Sequence, residues 1–432
     1  MNDGKIKLVP KLRFPEFRGV GKWNSTVLGE LSEVVRGGSP RPIDVFLTTA
    51  ADGLNWLKIG DVDKEAKFVT RTAEKVRPEA LSKTRVVNPG DLILSNSMSF
   101  GRPYILQINT CIHDGWIAIT NLANSVERDY LYYLISSSNS QSYFEDNAAG
   151  SGVQNLNAEI IKALPVFHAS SAEQQKIADC LSSLDELITA QTRKVEALKT
   201  HKKGLMQQLF PREGETQPHL RFPEFRDAGE WEVKPLGELV ELQSGFAFSS
   251  SSFGSEGRKL VTPKNFTKHG HGNFDVSVSK FTTQEVPERF VCKPGDLLVL
   301  LTDLTPTCEL LGKPLLLEDR DGTVLLNQRV VKIEPSVSEL EAVFLKYVFL
   351  TERYSNRITK TATGSTVKHS SNRVLQEMPL SHPALPEQQR IANCLTSLDD
   401  LITTASQELD TLKTHKKALM QQLFPSLEEA ET

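Results

Sequence analysis

The chain has 432 residues, of which 39% are hydrophobic and 24% charged, and its formal net charge is -4. This length exceeds the usual size of a single hydrophobic core and predicts two or more domains. No apolar run is long enough to span a bilayer and the first residues lack the apolar core of a secretory signal, so we expect a cytoplasmic protein without membrane contact. An acidic balance is unusual for a nucleic-acid-binding protein, so any DNA surface must be local or shared with a partner.

The chain consists of two copies of one plan. LRFPEF, a tryptophan and LGEL follow one another from Leu12 and again from Leu220, an offset of 208 residues. A PGDL turn comes next in both copies, at Pro89 and Pro294, and each copy ends in a long helix at an offset of 214 residues. Such a period indicates domain duplication, because solenoid repeats are only ~20 to 50 residues long. Between these anchors the copies scarcely match, so the frame performs one task twice while its contents serve two different targets.

The repeated helix reads EQQKIADCLSSLDELITAQTRKVEALKTHKKGLMQQLFP from Glu173 and EQQRIANCLTSLDDLITTASQELDTLKTHKKALMQQLFP from Glu387, with 26 of 39 positions identical. Apolar residues recur in alternating steps of four and three, which predicts a coiled-coil seam in each copy. The predicted seam residues are Ile177, Leu181, Leu184, Ile188, Val195, Leu198, Lys202, Leu205, Ile391, Leu395, Leu398, Ile402, Leu409, Leu412, Lys416 and Leu419. The two lysines within this seam predict a specified register, because a polar seam residue sets pairing at a cost in stability.

These signals predict an α+β fold in which two mixed α/β domains are separated by two long helices that form an antiparallel coiled coil. The predicted segments are residues 1–168 (first domain), 169–211 (central helix), 212–382 (second domain), 383–425 (C-terminal helix) and 426–432 (tail). A helix of about 38 residues rises roughly 57 Å, which suits a spacer. Antiparallel pairing would place one domain at each end in a pseudo-twofold arrangement. Periodicity leaves open the alternative that each helix packs only on its own domain.

The sequence contains none of the common catalytic or cofactor-binding motifs. The sequence contains no GxxxxGK[ST], no GxGxxG opening a βαβ unit, no HExxH and no GxSxG. It also lacks the Asn-Pro-Pro-aromatic or Asp-Pro-Pro-aromatic tetrapeptide with which amino-methyltransferases hold an exocyclic amine. The nine histidines show no cluster with ligand spacing, and the five cysteines are too scattered for a disulfide framework or a zinc site. We therefore predict no catalytic residue, no metal site and no cofactor in this chain, and interpret Cys180 and Cys394 as reduced packing residues.

The sequence does contain basic segments and polar loops of the kind that can contact DNA. Residues 64–85, 258–271 and 353–373 concentrate lysine and arginine, which suits phosphate contacts, although a solvated face is an equally good interpretation. Reading bases requires polar side chains on exposed loops, and any single candidate could instead hold its own loop together. The predicted DNA-binding residues are Arg41, Lys58, Ser95, Asn96, Ser97, Arg102, His113, Lys264, Asn265, His269, Asn327, Gln328, Arg329, Lys368 and His369.

The chain resembles, over essentially its full length, the specificity (S) subunits of type I restriction-modification systems. The resemblance rests on LRFPEF followed by Trp and LGEL at each domain start, on GGSP with WLKIGDV (Trp56 to Val62), and on PGDL in both halves. It rests further on LNQRV (Leu326 to Val330) and on the EQQ-I-A helices that end in LMQQLFP. The doubled order of these motifs is more specific than any one of them.

The resemblance implies two target recognition domains, each of which reads one half of a bipartite, asymmetric target in double-stranded DNA. It also implies a complex with two methyltransferase (M) subunits that flip and methylate adenine and two restriction (R) subunits that translocate and cleave DNA. S-adenosylmethionine, ATP and magnesium would then belong to the partner subunits. The paired helices would set the spacer between the half-sites and dock the M subunits, because two equal partners need two equal surfaces.

Two other classes of protein stay open at this point. A non-catalytic coiled-coil scaffold without sequence-specific DNA binding predicts, at best, a salt-sensitive and sequence-indifferent affinity. An enzyme with an unrecognised site in the Gly-rich loops predicts turnover by the purified chain.

Overall fold

The structure, a computed structural model, describes residues 9–96, 100–148, 155–303, 308–336, 339–364 and 367–425. Its contacts divide the chain into two compact units. Unit 1 comprises residues 1–192 and 407–432, and unit 2 comprises residues 193–406. Both long helices cross this division, so each unit contains one end of each. In the described part of the chain, no helix is long and apolar enough to cross a membrane.

The helices are short within the two sheet-bearing regions and long at the repeated segments. They are α1 (Leu28–Leu31), α2 (Arg128–Ser136), α3 (Ser138–Asn147), α4 (Ala158–Lys162), α5 (Ser171–Leu209), α6 (Leu236–Leu239), α7 (Ala342–Leu350), α8 (Glu352–Lys360), α9 (Asn372–Gln376) and α10 (Leu385–Leu423). The two long helices α5 and α10 have 39 residues each. The two predicted long helices are thus confirmed.

The described residues of unit 1 form two five-stranded sheets and one two-stranded sheet. Its strands are β1 (Asn24–Val27), β2 (Glu33–Arg36), β3 (Leu47–Thr48), β4 (Leu54–Leu57), β5 (Phe68–Val69), β6 (Glu74–Val76), β7 (Arg85–Val87), β8 (Leu92–Ser95), β9 (Pro103–Leu106), β10 (Thr110–Ile112), β11 (Trp116–Thr120) and β12 (Pro165–His168). The strand orders are β2-β11-β8-β9-β5, β3-β6-β4-β10-β7 and β1-β12. Most pairs are antiparallel, but β4 and β10 are parallel, as are β5 and β9.

Unit 2 repeats most of this topology with a different sequence, but its described residues form a first sheet of four strands and an additional strand pair. Its strands are β13 (Glu232–Pro235), β14 (Val240–Ser244), β15 (Phe253–Gly254), β16 (Arg258–Val261), β17 (Lys280–Thr282), β18 (Val291–Cys292), β19 (Leu297–Leu300), β20 (Thr302–Asp303), β21 (Pro314–Leu316), β22 (Val324–Leu326), β23 (Val330–Pro335), β24 (Lys368–His369) and β25 (Pro379–His382). The orders are β14-β23-β19-β21, β15-β17-β16-β22-β18, β13-β25 and β20-β24. Because β16 and β22 pair in parallel, as β4 and β10 do, the second sheet is equivalent in both units.

Alternation along the central strands creates the core layers. In β8, Leu92 and Leu94 join the cluster that contains the helices, whereas Ile93 joins the cluster between the two sheets. In β19, Leu297 and Leu298 divide between the equivalent clusters of unit 2 in the same way. Successive side chains of a strand point to opposite faces, so a strand buried on both faces reads as a continuous apolar run.

The repeated LRFPEF and EQQ motifs meet in each unit. Arg13 donates from Nε and Nη2 to the two carboxylate oxygens of Glu173, both at 2.7 Å, and both side chains are buried. Arg221 and Glu387 make the same bidentate pair in unit 2, at 2.9 and 2.5 Å. A planar guanidinium matches a carboxylate in this two-point geometry. The sequence repeats these residues because each unit anchors its N-terminal segment to a long helix in this way.

The glutamine that follows this glutamate holds the helix start. Gln174 accepts from the backbone amide of Glu127 at 2.9 Å and donates to Ser125 O and Ala169 O, both at 2.8 Å. In unit 2, Gln388 makes the three equivalent contacts. These bonds satisfy backbone groups that would otherwise be buried without partners.

The long helices run antiparallel within each unit. In unit 1, Asp185 of α5 lies 2.5 Å from Lys416 Nζ of α10, and Gln191 donates to Glu408 at 2.8 Å, so α10 runs backwards as α5 advances. In unit 2, Lys202 Nζ lies 2.5 Å from Asp399 Oδ1. The predicted α+β fold with antiparallel long helices is therefore confirmed. The alternative in which each helix packs only on its own half is wrong, because residues 407–423 of α10 belong to unit 1.

None of the sixteen predicted seam residues is exposed. The two seam lysines are neutralised by Asp185 and Asp399, which also accept hydrogen bonds from Tyr133 and Tyr347 at 2.7 and 2.8 Å. Each lysine ammonium lies 5.3 Å from the centroid of its tyrosine ring. A polar group at a seam is tolerated when it is paired, and here the pairing connects the seam to α2 and α7 of the sheet-bearing regions.

Candidate nucleic-acid interface

The candidate loops of unit 1 leave one edge of a sheet together. β4 and β10 pair in parallel with Leu57 opposite Ile112. Because the carboxyl ends of parallel strands meet at the same edge, the loops that begin at Lys58 and His113 start side by side. The loop that carries Arg41 joins them, since the amide of Gly38 donates to Ile112 O at 3.1 Å.

Asp114 organises this group of loops. Ser39 Oγ donates to Asp114 Oδ1 at 2.9 Å, and Arg41 Nη2 lies 3.3 Å from Oδ2. The backbone carbonyl of Asp114 accepts from Arg36 Nε and from Asn96 Nδ2, both at 3.0 Å. Burial alone would raise the pKa of the Asp114 carboxyl, but the hydrogen bond from Ser39 and the charges of His113, Arg36 and Arg41 hold it below its ordinary value. The carboxylate therefore stays ionised and connects the loop of Ser39 and Arg41 to the loop that carries His113.

Four predicted residues of unit 1 keep solvent-accessible side chains: Arg41, Lys58, Arg102 and His113. The side chain of Arg41 is 82% exposed, and those of the other three are close to 40% exposed. Lys58 Nζ lies 2.6 Å from Glu74, and Arg102 lies 3.5 Å from Glu65. Surface pairs of this kind are weak, so phosphate or base contacts can compete with them. A role in DNA binding stays a prediction for all four.

Two other candidates in unit 1 are not on an exposed loop. Ser95 belongs to β8 and is fully buried, and Asn96 is 2% exposed. Asn96 binds the Asp114 carbonyl through its side chain and receives the amide of Leu156 at its backbone oxygen. The expectation of exposure is wrong for both, because these side chains are packed within the unit. Ser97 lies outside the described residues.

The loops of unit 2 leave the equivalent sheet edge. β16 and β22 pair in parallel with Val261 opposite Leu326, so the loops that carry Lys264 and Asn327 start side by side. The loop after β14 packs against them at Gly245, where an added Cβ would lie 2.0 Å from Asn327 O. This position therefore requires glycine.

Two candidates of unit 2 are buried. Asn265 Oδ1 accepts from the amide and the hydroxyl of Thr262 at 2.7 and 2.8 Å, and its Nδ2 donates to Asn273 O at 2.8 Å. Asn327 is 8% exposed and pairs through its backbone with Phe246. The expectation of exposure is wrong here too, because both asparagines shape their own turns.

Four other candidates of unit 2 come together. Gln328, Arg329 and His369 are exposed, and Lys368 is half-buried. The carbonyl of Arg329 accepts from the amide of Leu301 at 3.0 Å. The adjacent β20 pairs with β24, which carries Lys368 and His369. The structure thus brings Gln328 and Arg329 close to Lys368 and His369 although some forty residues separate them in the sequence.

The two remaining candidates of unit 2 are Lys264 and His269. Lys264 is exposed in the turn Pro263–Asn265. His269 is also exposed, but its loop lies against α7 and α10, since an added Cβ at Gly270 would lie 3.0 Å from Lys346 Cε and His271 Nε2 lies 3.8 Å from Asp399. His269 is therefore not part of the group formed by Arg329 and Lys368.

The lysines and arginines of the basic segment at residues 64–85 differ in their exposure to solvent. Lys64, Arg71, Arg77, Lys83 and Arg85 are exposed. Lys67 is turned inward instead, where its Nζ lies 2.9 Å from Asp129 and donates to Tyr133 and Ser182. Sequence reasoning missed Arg36, an exposed cation at the Asp114 loop. Its place next to GGSP is the signal that could have found it, since Arg41 was selected on that ground.

The described residues contain no group of three or more His, Cys, Asp or Glu side chains that could hold a metal ion. All five cysteines are free, with Cys111 and Cys292 buried. Paired parallel strands with polar loops at one edge, twice in a chain and joined by long helices, define a duplicated binding protein. The sequence profile described as Type I restriction modification DNA specificity domain matches residues 21–200 and 228–414. The chain belongs to this family.

Known relatives agree with this assignment. The Type I restriction enzyme MjaVIII specificity subunit of Methanocaldococcus jannaschii is 25% identical, over 98% of this chain and 95% of its own length. The Type I restriction enzyme EcoBI specificity subunit of Escherichia coli is 29% identical, over 39% of this chain and 32% of its own length. DNA target recognition is therefore the function of the chain, and the scaffold without sequence-specific binding is not favoured.

Solved structures share the fold. The S subunit of a type I restriction-modification system from M. genitalium superposes with a TM-score of 0.58 at 16% identity, covering 97% of this chain and 100% of that one. A chain from a study of complex assembly and conformational transition of the type I R-M system gives 0.57 at 16% identity, covering 93% and 97%. At this identity the likeness concerns the fold alone.

Proposed function

We propose that each unit reads one half of a bipartite, asymmetric sequence in double-stranded DNA through its loop group. The loop group of a unit is the set of loops that leave the ends of its two parallel strands, β4 and β10 in unit 1 and β16 and β22 in unit 2, together with the neighbouring loops that pack on them. The observation that carries the proposal is one topology with two sets of loop side chains. His113 and Asn327 follow equivalent strands and start equivalent loops, yet their chemistry differs. Identical reading surfaces would read identical half-sites, so divergent loops on a repeated frame suit an asymmetric target. The loops would enter the major groove, where each base pair presents a distinct pattern of donors and acceptors.

Solvent-accessible cations in the loop groups would supply the phosphate contacts. Arg36 and Arg41 in unit 1, and Arg329 with Lys368 in unit 2, lie next to the candidate base-reading positions. A net charge of -4 opposes strong DNA binding by the whole surface, so the attraction must be concentrated at such places or completed by partners.

The long helices would dock two M subunits and act as a ruler between the half-sites. Leu187 of unit 1 and Leu401 of unit 2 occupy equivalent positions of the repeated helix, and each is 54% exposed. Equal exposed leucines on repeated surfaces suit two copies of one partner. Two R subunits would complete the complex. S-adenosylmethionine, ATP and magnesium would be held by these partners in the cytoplasm, and this chain by itself would catalyse no reaction.

Co-expression with the methyltransferase subunit of the same system tests the assignment. We expect the two proteins to co-purify and to methylate adenines only at sites with two different half-sequences and a spacer of constant length. The purified chain without its partner should show no methylation or cleavage. Methylation at a single contiguous sequence, or without sequence preference, would contradict the two-half reading.

A matched deletion tests the ruler. Removing residues 190–196 from α5 and 404–410 from α10 keeps both heptad registers and shortens the helix pair by about 10 Å. We expect the spacer to shrink by roughly three base pairs, at about 3.4 Å per base pair, while both half-sequences stay unchanged. A changed half-sequence with an unchanged spacer would show that the helices do not set the spacing.

A further inference from the structure

Unit 2 contains a half-enclosed cavity of about 370 Å³ beside the end of α5. Its apolar part is formed by Phe210, Leu236, Val348, Phe349, Met378 and Leu380. The segment Pro211–Gly214, which leaves α5, forms one wall, and α8 forms another. Ligand sites of proteins commonly have volumes of about 300 to 1,000 Å³ and an apolar lining with a few polar groups, so this cavity has the size for one small molecule.

The rim of the cavity is cationic. Arg353, Arg357 and Lys360 line it together with a single carboxylate, that of Glu213. Lys360 lies 3.8 Å from Glu213, and Arg353 donates to the backbone carbonyl of Glu215 at 3.1 Å. Within the described residues, Arg357 has no carboxylate at ion-pair distance. The rim therefore carries more positive than negative charge, and an anion bound there would reduce the repulsion between its cations.

Two hydroxyl groups in the wall are not used by the protein. Tyr354 and Ser381 are buried, and neither hydroxyl has a hydrogen-bond partner among the described residues. Buried polar groups are almost always paired in native proteins. These two hydroxyls can therefore still form hydrogen bonds. They lie next to the apolar part of the cavity, which forms its floor, and next to the cationic rim.

The equivalent place in unit 1 is closed. The cavity there measures only about 20 Å³ and is lined by Asn139, Phe167 and Pro425, among others. Phe167 is opposite Ser25 in the β1-β12 pair, and Ser381 is opposite Val233 in the β13-β25 pair, so the two residues are equivalent. A buried phenylalanine in unit 1 thus replaces a serine of the unit 2 wall.

The rim differs between the units as well. Asn139 is the second residue of α3, and Arg353 is the second residue of α8. Asn139 donates to the carbonyl of Pro425 at 2.9 Å and ties down the chain that leaves α10. Among the described residues, the equivalent place in unit 1 therefore has a much smaller cavity and an asparagine in the position of the arginine.

We propose that this cavity of unit 2 binds a small organic anion with an apolar body, such as an aryl-alkyl carboxylate. The apolar floor takes the body, and Arg353 and Arg357 hold the anionic group at the rim. The ligand is a small molecule because a segment of the chain itself closes one side of the site. This inference goes beyond DNA recognition, and it assigns to unit 2 a site that the described residues of unit 1 do not form.

Calorimetric titration of the full chain with 4-phenylbutyrate and with the uncharged 4-phenylbutan-1-ol tests the proposal. We expect the acid to bind once per chain and roughly threefold to tenfold more tightly than the alcohol at low salt, because only the acid engages the arginines. Arg357→Gln, at an exposed position, should reduce the advantage of the acid and leave the affinity for the alcohol unchanged. Equal affinities of the two probes, or a dissociation constant for the acid above about 10 mM, would overturn the proposal.

A pair of reciprocal variants locates the site. Ser381→Phe transfers the unit 1 residue into unit 2 and should abolish binding of both probes, while the melting temperature confirms that the variant is folded. Phe167→Ser makes the opposite exchange in unit 1 and should leave the unit 2 affinity unchanged. Retained binding in a folded Ser381→Phe variant places the probe elsewhere and overturns the proposal. If that variant does not fold, Arg357→Gln decides the matter alone.

Discussion

Unit 1 and unit 2 form the same side-chain contacts where the chain meets the long helices. Their side chains differ where loops leave the parallel strands. The pair Arg13–Glu173 recurs as Arg221–Glu387, and the hydrogen bonds of Gln174 recur at Gln388. At the strand ends, by contrast, the same turn is built with other residues. The difference separates positions that must keep one geometry from positions that are free to acquire a new target.

The turn after the first parallel strand illustrates how geometry survives a change of sequence. In unit 1, the amide of Lys58 donates to Asp61 Oδ2 at 2.9 Å. In unit 2, the amide of Thr262 donates to Asn265 Oδ1 at 2.7 Å. Aspartate and asparagine both offer an oxygen to a backbone amide three residues earlier, so either one closes the turn. Side chains that close the turn are restrained in this way, and only their outward-facing neighbours are free to vary.

The largest effect on stability is expected at the buried ion pairs. Glu173→Ala leaves Arg13, whose side chain is 7% exposed, without its carboxylate and should cost about 3 to 5 kcal/mol of unfolding free energy. Glu387→Ala should cost less, because the side chain of Arg221 is 14% exposed and reaches water more easily. Denaturant titration of the two variants measures both values. A larger loss for Glu387→Ala would contradict this ranking.

Smaller effects on stability are expected at the seam. Asp399 is buried and accepts hydrogen bonds from Lys202 and Tyr347, so Asp399→Asn should cost about 2 to 3 kcal/mol. The side chain of Asp185 is 27% exposed, and Asp185→Asn should cost about 1 kcal/mol or less. Melting temperatures of the two variants test the order, and equal shifts would show that burial does not distinguish the two seam contacts.

The contribution of Asp399 should also depend on pH. Burial alone would raise the pKa of Asp399, but His271 and the charges of Lys202 and Lys346 lower it well below its usual range. The folded-state pKa lies below the unfolded value, so the stabilisation is complete above about pH 4 and is lost as the pH falls further towards the folded-state value. The difference in unfolding free energy between wild type and Asp399→Asn should therefore be constant from pH 7 to 5 and shrink below pH 4. A difference that grows on acidification would reverse the sign of this linkage.

A substitution in the loop group of one unit should change recognition of one half-site only. If Arg329 binds a base edge, Arg329→Ala should weaken binding to the cognate target by about 1 to 3 kcal/mol and relax the preference within one half-site. Arg41→Ala should act on the other half-site only. Competition between DNA duplexes with substitutions in either half measures both effects at a stated salt concentration, because phosphate contacts alone depend strongly on salt. Loss of affinity spread equally over all sequences would identify both arginines as phosphate contacts.

Much of the frame is predictable from the sequence, because a seven-residue apolar pattern repeated over several turns specifies a long helix and its seam. The identity of the polar partner was not predictable: Lys202 is conspicuous in the seam, but Asp399 becomes its partner only when the helices run antiparallel. Exposure of loop residues was the weakest inference. Asn96 and Asn265 have the composition of a reading loop, yet asparagine is equally suited to holding loops together. Asn96 binds the carbonyl of Asp114 and Asn265 closes its own turn, and only the folded chain distinguishes these uses from base reading.

The division of both long helices between the units has a consequence for biosynthesis. Unit 2 is one continuous stretch, residues 193–406, and can close as soon as it has left the ribosome. Unit 1 begins at the N-terminus, but its core includes Leu423 and Phe424, and the amide of Leu12 donates to the carbonyl of Gln422. During translation the first half to be made must therefore wait, with part of its apolar surface uncovered, until the last helix is delivered to it. The order of synthesis and the order of completion are opposite in this chain.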